Sequence, residues 1–323
     1  MLGRTAGLAA LAALVAMALT PAKAQTYPSG QVRLIVPTSA GGVTDTMARI
    51  VSQRLTEMIN QPVIVDNRPG GNSAIGAQAV ARSAPDGLTL LVTSDATITA
   101  NPHLSSKLSY KPEEFTPIMM LCRGTPMLVV NSAVPANSTQ ELIALAKAKP
   151  GTLNYGSYGV GTYAHLSMED FKQRTGTDIV HIPYRGAAPA ANALLAGDVS
   201  MLLLNLSSIA AHEKTGRVRI LASAGAKRAQ ARPDLPTIAE AGVPGFQTSV
   251  WFALFGPANM PPELVAKIHA DVSKVLDLPK SKEFFEKNSF ERVDQTPAEF
   301  AKLVADDSKL WGTLIKQVGA KID

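Results

Sequence analysis

Two stretches of this chain carry the residue types that hold an anion. The first is Pro37-Thr38-Ser39-Ala40-Gly41-Gly42-Val43-Thr44-Asp45, the second Gly156-Ser157-Tyr158-Gly159-Val160-Gly161-Thr162. Each follows a short apolar run and precedes a helix-period pattern, so each reads as a strand, a glycine loop and a helix start. A helix start offers unpaired backbone N–H groups at the positive end of a dipole, glycines let a ligand approach the backbone, and Ser or Thr hydroxyls add donors. Such a loop holds a carboxylate without a formal countercharge. Its two occurrences suit an acid gripped between two halves of a molecule.

Other chemistries find less support. Gly159-x-Gly161-x-x-Ala164, with Asp178 beyond it, matches the dinucleotide fingerprint, but the strand before it is short and an exported chain meets little soluble nicotinamide. Ser157 has Tyr155 where a nucleophile elbow needs glycine, leaving a hydrolase built on Ser157 and His165 as a minor alternative. The histidines, at 103, 165, 181, 212 and 269, lack metal-ligand spacing, so neither metal nor cofactor is expected. Arg68, Arg123 and Arg185 stand beside turns and are able to form a bidentate pair with a ligand carboxylate. Arg185 is the best placed of these, because Gly186-Ala187-Ala188-Pro189 opens a further helix.

The elements that must position these residues alternate. Val32–Val36, a helix with Met47, Val51, Leu55 and Met58 on one stripe behind Thr44 or Asp45 as N-cap, and Val63–Val65 form a βαβ unit. A helix over 76–84 and a strand over 88–93 follow. Two apolar stretches flank Gly124-Thr125-Pro126, where the chain crosses to a second α/β unit. That unit opens with the capping box Ser138-Thr139-Gln140-Glu141 and continues through strands near 153–155, 179–182, 199–206 and 218–222. The chain returns at 250–256 and ends in two helices, opened by Pro261-Pro262 and by Thr296-Pro297-Ala298-Glu299. Alternating strands and helices predict mixed, mostly parallel sheets flanked by helices.

Composition agrees. The 323 residues favour two domains, and 18% charged residues with 46% hydrophobic ones exclude a disordered chain. Residues 1–24 read as a cleavable leader: Arg4, an apolar run to Thr20, and Ala22-Lys23-Ala24 before Gln25. Losing Arg4 and Lys23 takes the net charge from +5 to +3, too weak and too scattered for nucleic acid. Cys122 stands alone and reads as a small buried apolar residue.

The ordered motifs Val36-Pro37…Ala40-Gly41-Gly42-x-x-Asp45, Val65-Asp66-Asn67-Arg68-Pro69-Gly70, Ala84-Pro85-Asp86-Gly87, Leu153-Asn154-Tyr155-Gly156-Ser157, Gly159-x-Gly161-Thr162…His165-Leu166, Pro183-Tyr184-Arg185-Gly186 and Pro236-Thr237…Glu240-Ala241-Gly242-Val243-Pro244-Gly245 resemble the periplasmic solute-binding proteins of tripartite tricarboxylate transporters, the Bug family. The resemblance covers nearly the whole mature chain. It implies a Venus-flytrap fold, with residues 25–124 and 247–323 as one domain and 125–246 as the other. It also implies a monomer with no catalysis, and integral-membrane transporter subunits as partners. A receptor that signals to a membrane sensor is the alternative.

By that resemblance the ligand carboxylate lies against Thr38, Ser39, Ala40, Gly41, Gly42, Thr44 and Asp45 of one loop and Ser157, Tyr158, Gly159, Gly161, Thr162 and His165 of the other. Ser94, Arg185, Leu204 and Asn205 complete the set, with Asp95 at the cleft edge. Thr38 stands where many relatives have an aromatic residue, Leu204 where many have an acid, and Tyr158 and Tyr163 where small residues are common. The first two departures point to an enlarged, less acidic cleft and the two tyrosines to rings laid against an aromatic ligand, hence to an aromatic or longer dicarboxylate rather than an amino acid.

Overall fold

The computed structural model describes residues 27–184 and 186–322. The leader-like segment and Arg185 therefore lie outside the described residues. The chain forms β1 (Val32–Val36), α1 (Val43–Ile59), β2 (Val63–Asn67), α2 (Ala74–Ala81), β3 (Thr89–Ser94), α3 (Asp95–Thr99), α4 (Asn101–Leu104), β4 (Phe115–Gly124), β5 (Pro126–Asn131), α5 (Thr139–Ala148) and β6 (Asn154–Ser157). It continues with α6 (Tyr163–Thr175), β7 (Val180–Pro183), α7 (Ala187–Ala196), β8 (Met201–Asn205), α8 (Ala210–Lys214), β9 (Val218–Ser223), β10 (Val250–Pro257), α9 (Pro262–Leu276), α10 (Pro279–Asn288), β11 (Phe290–Glu291) and α11 (Pro297–Val318).

Two sheets result, ordered β11-β4-β10-β3-β1-β2 and β7-β6-β8-β5-β9. β1 runs parallel to β2 and β3, and β6 parallel to β7 and β8, with α1, α2, α6 and α7 as the crossover helices between successive strands. The strands nearest the two crossings, β4, β5, β9 and β10, enter antiparallel, so both sheets are mixed. The sheets meet where β4 passes into β5 across Thr125 and where the chain returns into β10.

The sequence stripe on α1 is mostly borne out. Met47, Val51 and Leu55 are buried against the sheet, but Met58 is 41% exposed. At 100° per residue the apolar face runs on in steps of four to Ile59, and position 58 swings outward. The N-cap is Gly42, one residue ahead of the helix, rather than Thr44 or Asp45. Both predicted capping hydroxyls form: Ser138 Oγ accepts from Glu141 N, and Thr296 Oγ1 from Glu299 N. A helix absent from the sequence reading, α10, lies between the two terminal ones. Cys122 is fully buried, and burial pushes its thiol pKa upward.

Candidate functional site

A cavity of about 890 Å³ lies between the two sheets, at the carboxyl ends of β1, β3 and β8. That is where α/β sheets place ligands, because loops leaving the parallel strands open a crevice there. The first glycine loop supplies Thr38 through Thr44, the second Tyr158, Thr162 and Tyr163, and β10 contributes Val250 and Phe252.

Three helices of eight or more residues, α1, α6 and α7, start at this cavity. Among the described residues nothing accepts from the first-turn N–H groups of Val43, Thr44 and Asp45, of Tyr163, Ala164 and His165, or of Ala187 and Ala188. The third of these helices is the one expected from Gly186-Ala187-Ala188-Pro189. Among the described lining residues there is no Lys or Arg, so the positive potential comes from backbone dipoles. Thr38 Oγ1 and Asn205 Oδ1 line the same space, buried and without partners among the described residues. Buried polar atoms left unpaired are costly, and a polar ligand relieves that cost.

Asp45 does not line the cavity. It is 2% exposed and braces the first loop: Oδ2 accepts from Gly41 N and Arg49 Nε, each at 2.9 Å, while Oδ1 accepts from Asn67 Nδ2 at 3.0 Å. Asn67 also donates to Thr38 O at 3.1 Å, tying the loop to β2. The Arg49 hydrogen bond holds the Asp45 carboxyl below its usual range despite burial. Gly41 sits at φ +91°, a conformation open to glycine.

The second loop is braced by rings. Ser157 is wholly buried, with Oγ 2.7 Å from His181 Nε2 and accepting from Gly159 N. His165 Nδ1 accepts from Gly161 N at 3.1 Å, and its ring stacks on His181, which stacks in turn on Tyr155. Burial first, then the neighbouring imidazole, pushes His181 down to about 4. Ser157, Gly159, Gly161 and His165 thus shape the loop from behind the cavity wall. Gly161 stands at φ +81°, and a Cβ there would fall 2.0 Å from Leu104 Cδ1, so the second loop touches α4 of the other sheet's layer.

Tyr158 and Tyr163 meet edge to face, centroids 5.5 Å apart. Their hydroxyls lie 3.1 Å from each other and Tyr158 donates to Leu203 O at 2.6 Å, so both hydroxyls are engaged within the protein while both residues line the cavity. Leu204 faces the core, 1% exposed among Met127, Val129 and Leu202, while Asn205 faces the cavity. Asp95, beside Ser94, also lines it. Its carboxyl accepts from Ala96 N at 2.8 Å and from the Trp251 backbone, and burial pushes its pKa up to about 8.

Sequence reasoning missed Asn72, Ser73, Asn101, Asn192, Ser208 and His212, which complete the polar lining. Arg68 is paired with Asp66 at 2.9 Å, and Arg123 lines a different cavity. Among the described residues no group of three His, Cys, Asp or Glu side chains is placed to hold a metal, and no helix is long and apolar enough to cross a membrane.

The family model for the tripartite tricarboxylate transporter family receptor matches residues 47–320. Protein BugT of Bordetella pertussis is 35% identical over 94% of this chain and 93% of its own length. A Cupriavidus necator protein from the gbd 5′ region is 34% identical over 97% of this chain and 96% of its own length. A solved Rhodopseudomonas palustris protein, Rpa4515 with adipate, is 34% identical with TM-score 0.83 over 92% of this chain and all of its own. MatC of the same organism, with bound malate, is 30% identical with TM-score 0.78 over 90% of this chain and all of its own. The chain belongs to the tripartite tricarboxylate transporter receptor family, the Bug solute-binding proteins.

Proposed function

We propose that this protein is a periplasmic receptor that captures a small carboxylate in the cavity between its sheets and delivers it to the membrane subunits of a tripartite tricarboxylate transporter. The observation that carries this reading is the convergence of three helix N-termini on a cavity with no Lys or Arg among its described lining residues. The leader is removed after Ala24, and the protein works as a monomer without cofactor or catalysis. Residues 25–124 with 247–323 and residues 125–246 act as two domains closing on the ligand. The full burial of Ser157 supports a binding role over a hydrolytic one: although its Oγ lies 2.7 Å from His181 Nε2, a nucleophile at 0% exposure reaches no substrate.

The ligand is an aromatic or longer dicarboxylate. One carboxylate lies on the donors of the two glycine loops, with Thr38, Ser39, Gly42, Thr44, Tyr158 and Thr162 around it. The rest of the ligand runs along the Tyr158 and Tyr163 rings. Thr38 in place of a large side chain, a volume of about 890 Å³ and the adipate-bound relative support this class. An amino acid is disfavoured: Asp95 is the one carboxyl among the described lining residues, and burial keeps it protonated near neutral pH.

A thermal-shift screen of the protein, refolded to remove co-purified ligand, tests this against aliphatic, aromatic and amino dicarboxylates. A ligand at one hundred times its Kd stabilises by about 2.7 kcal/mol, an easily visible shift. Stabilisation by adipate-length or aromatic diacids is expected. Tighter binding of aspartate or glutamate overturns the ligand class, and the absence of any carboxylate response overturns the receptor reading.

A further inference from the structure

A second cavity, about 400 Å³, shares no lining residue with the first. It lies at the crossings between the sheets: Arg123 is the last residue but one of β4, Thr125 sits in the connection to β5, Lys227 follows β9, Ser249 precedes β10, and Asp307 and Trp311 come from α11. In the antiparallel ladders Arg123 is registered opposite Trp251 on one side and Glu291 on the other, so the three side chains share a face.

Arg123 is half-buried in this wall and has no ion pair or hydrogen bond among the described residues; its Nε is fully enclosed without an acceptor. The Arg123 charge acts on the Asp307 carboxyl without an ion pair to it, Asp307 Oδ2 accepts instead from Trp251 Nε1 at 2.6 Å, and Glu291 stands exposed. Lys227, exposed in the same lining, is in no ion pair among the described residues either. A guanidinium presents its donors as a rigid fork, and an enclosed one without an acceptor is costly. A planar or tetrahedral oxyanion answers both conditions, with the Thr125 and Ser249 hydroxyls within the same walls.

We propose that this hinge cavity is a second anion site, which takes a small oxyanion, a free carboxylate or inorganic phosphate, on the Arg123 guanidinium. Its walls belong to elements of both sheets, so an ion seated there favours one angle between them over another. Trp251 links the two cavities: its backbone N–H serves Asp95 in the larger one and its indole serves Asp307 in this one.

The test uses a reporter the chain already carries. Its two tryptophans are Trp251 and Trp311, one bonded to a wall residue and the other forming the wall. Titrating purified protein with phosphate and with acetate, against sodium chloride at matched ionic strength, should change indole emission saturably. In Arg123→Gln the apparent affinity should fall at least tenfold, and in Arg123→Lys, which keeps charge and volume if Gln does not fold, by a smaller factor. Ala188→Glu, which places a carboxylate in the larger cavity, should leave the response intact, so that failure of the carboxylate-receptor reading and failure of this one give different results. A response that merely follows ionic strength, survives unchanged in both Arg123 variants, or disappears in Ala188→Glu overturns the proposal.

Discussion

Asp45 shows how a charged residue can serve a site from outside it. Its carboxylate takes the Gly41 N–H, the Arg49 guanidinium and the Asn67 amide at once, and so fixes where the remaining donors of the loop point. Asp45→Ala should cost about 1–3 kcal/mol of stability in urea denaturation and weaken carboxylate binding, since the Gly41 N–H and the half-buried Asn67 amide lose the acceptor that fixes them. Asp95 makes the opposite case. Its pKa rises from 3.8 unfolded to about 8 folded, so the folded chain keeps a proton that the unfolded chain loses, and stability is given up as pH climbs through that window. Asp95→Asn, isosteric with the protonated acid, should therefore gain on wild type in melts run at pH 8 relative to pH 5. The same ionisation opposes an anionic ligand, so wild-type affinity should drop above pH 8 and that of the variant should not.

The residue pair Leu204-Asn205 marks how far such roles can be read from sequence. Neighbours in a strand face opposite sides of the sheet, so only one of the two could reach the cavity, but Met201 through Leu204 are apolar and buried on both faces, so β8 carries no alternation to choose between them, and Asn205 is marked only as the polar residue that ends the strand. Asn101 and Phe252 were harder to foresee than Asp95: the pairing of β10 with β3 sets Phe252 opposite Ser94, and Asn101 meets Asn72 from 29 residues away, contacts that leave no local signal.

At the scale of elements, the two glycine loops were legible because strand, turn and helix start follow one another within a dozen residues. Helix α10 was not. Lys280, Lys282, Glu283, Glu286 and Lys287 crowd its ten residues, and it holds on through Phe285 and the wholly buried Ser281, whose Oγ donates to Val275 O. The capping box of α11 was plain. Thr296 Oγ1 accepts from Glu299 N while Glu299 Oε2 accepts from Thr296 N at 2.8 Å, so Thr296→Ala should cost about 1 kcal/mol in thermal denaturation. The histidine stack behind the second loop carries a pH signature with the sign opposite to that of Asp95. With His181 near 4 folded and 6.5 unfolded, the unfolded chain binds the extra proton, so this contribution is full above pH 6.5 and drains away as pH falls towards 4. His181→Gln should flatten the acid limb of a stability-versus-pH curve while leaving the limb above pH 7 in place.

On the scale of the whole molecule, the two layers are joined by packing as well as by their connections. Leu104 of α4 and Leu166 of α6 share a buried cluster with Trp311, Leu314 and Ile315 of the terminal helix, so α11 touches elements on both sides of the cavity. Leu104→Ala should cost about 2–5 kcal/mol, as large-to-small changes at buried leucines do, read from chemical denaturation. Leu104 is also the side chain against which Gly161 closes. A receptor has to release its cargo as well as find it, and the rate of release is set by whichever contacts must part first. The leucine against the glycine is one such contact, made with none of the ligand's own atoms. Trimming it should shorten the dwell time of bound cargo more than it slows capture, and the tightness with which one methyl meets one glycine thereby becomes a setting on how quickly the protein can be used again.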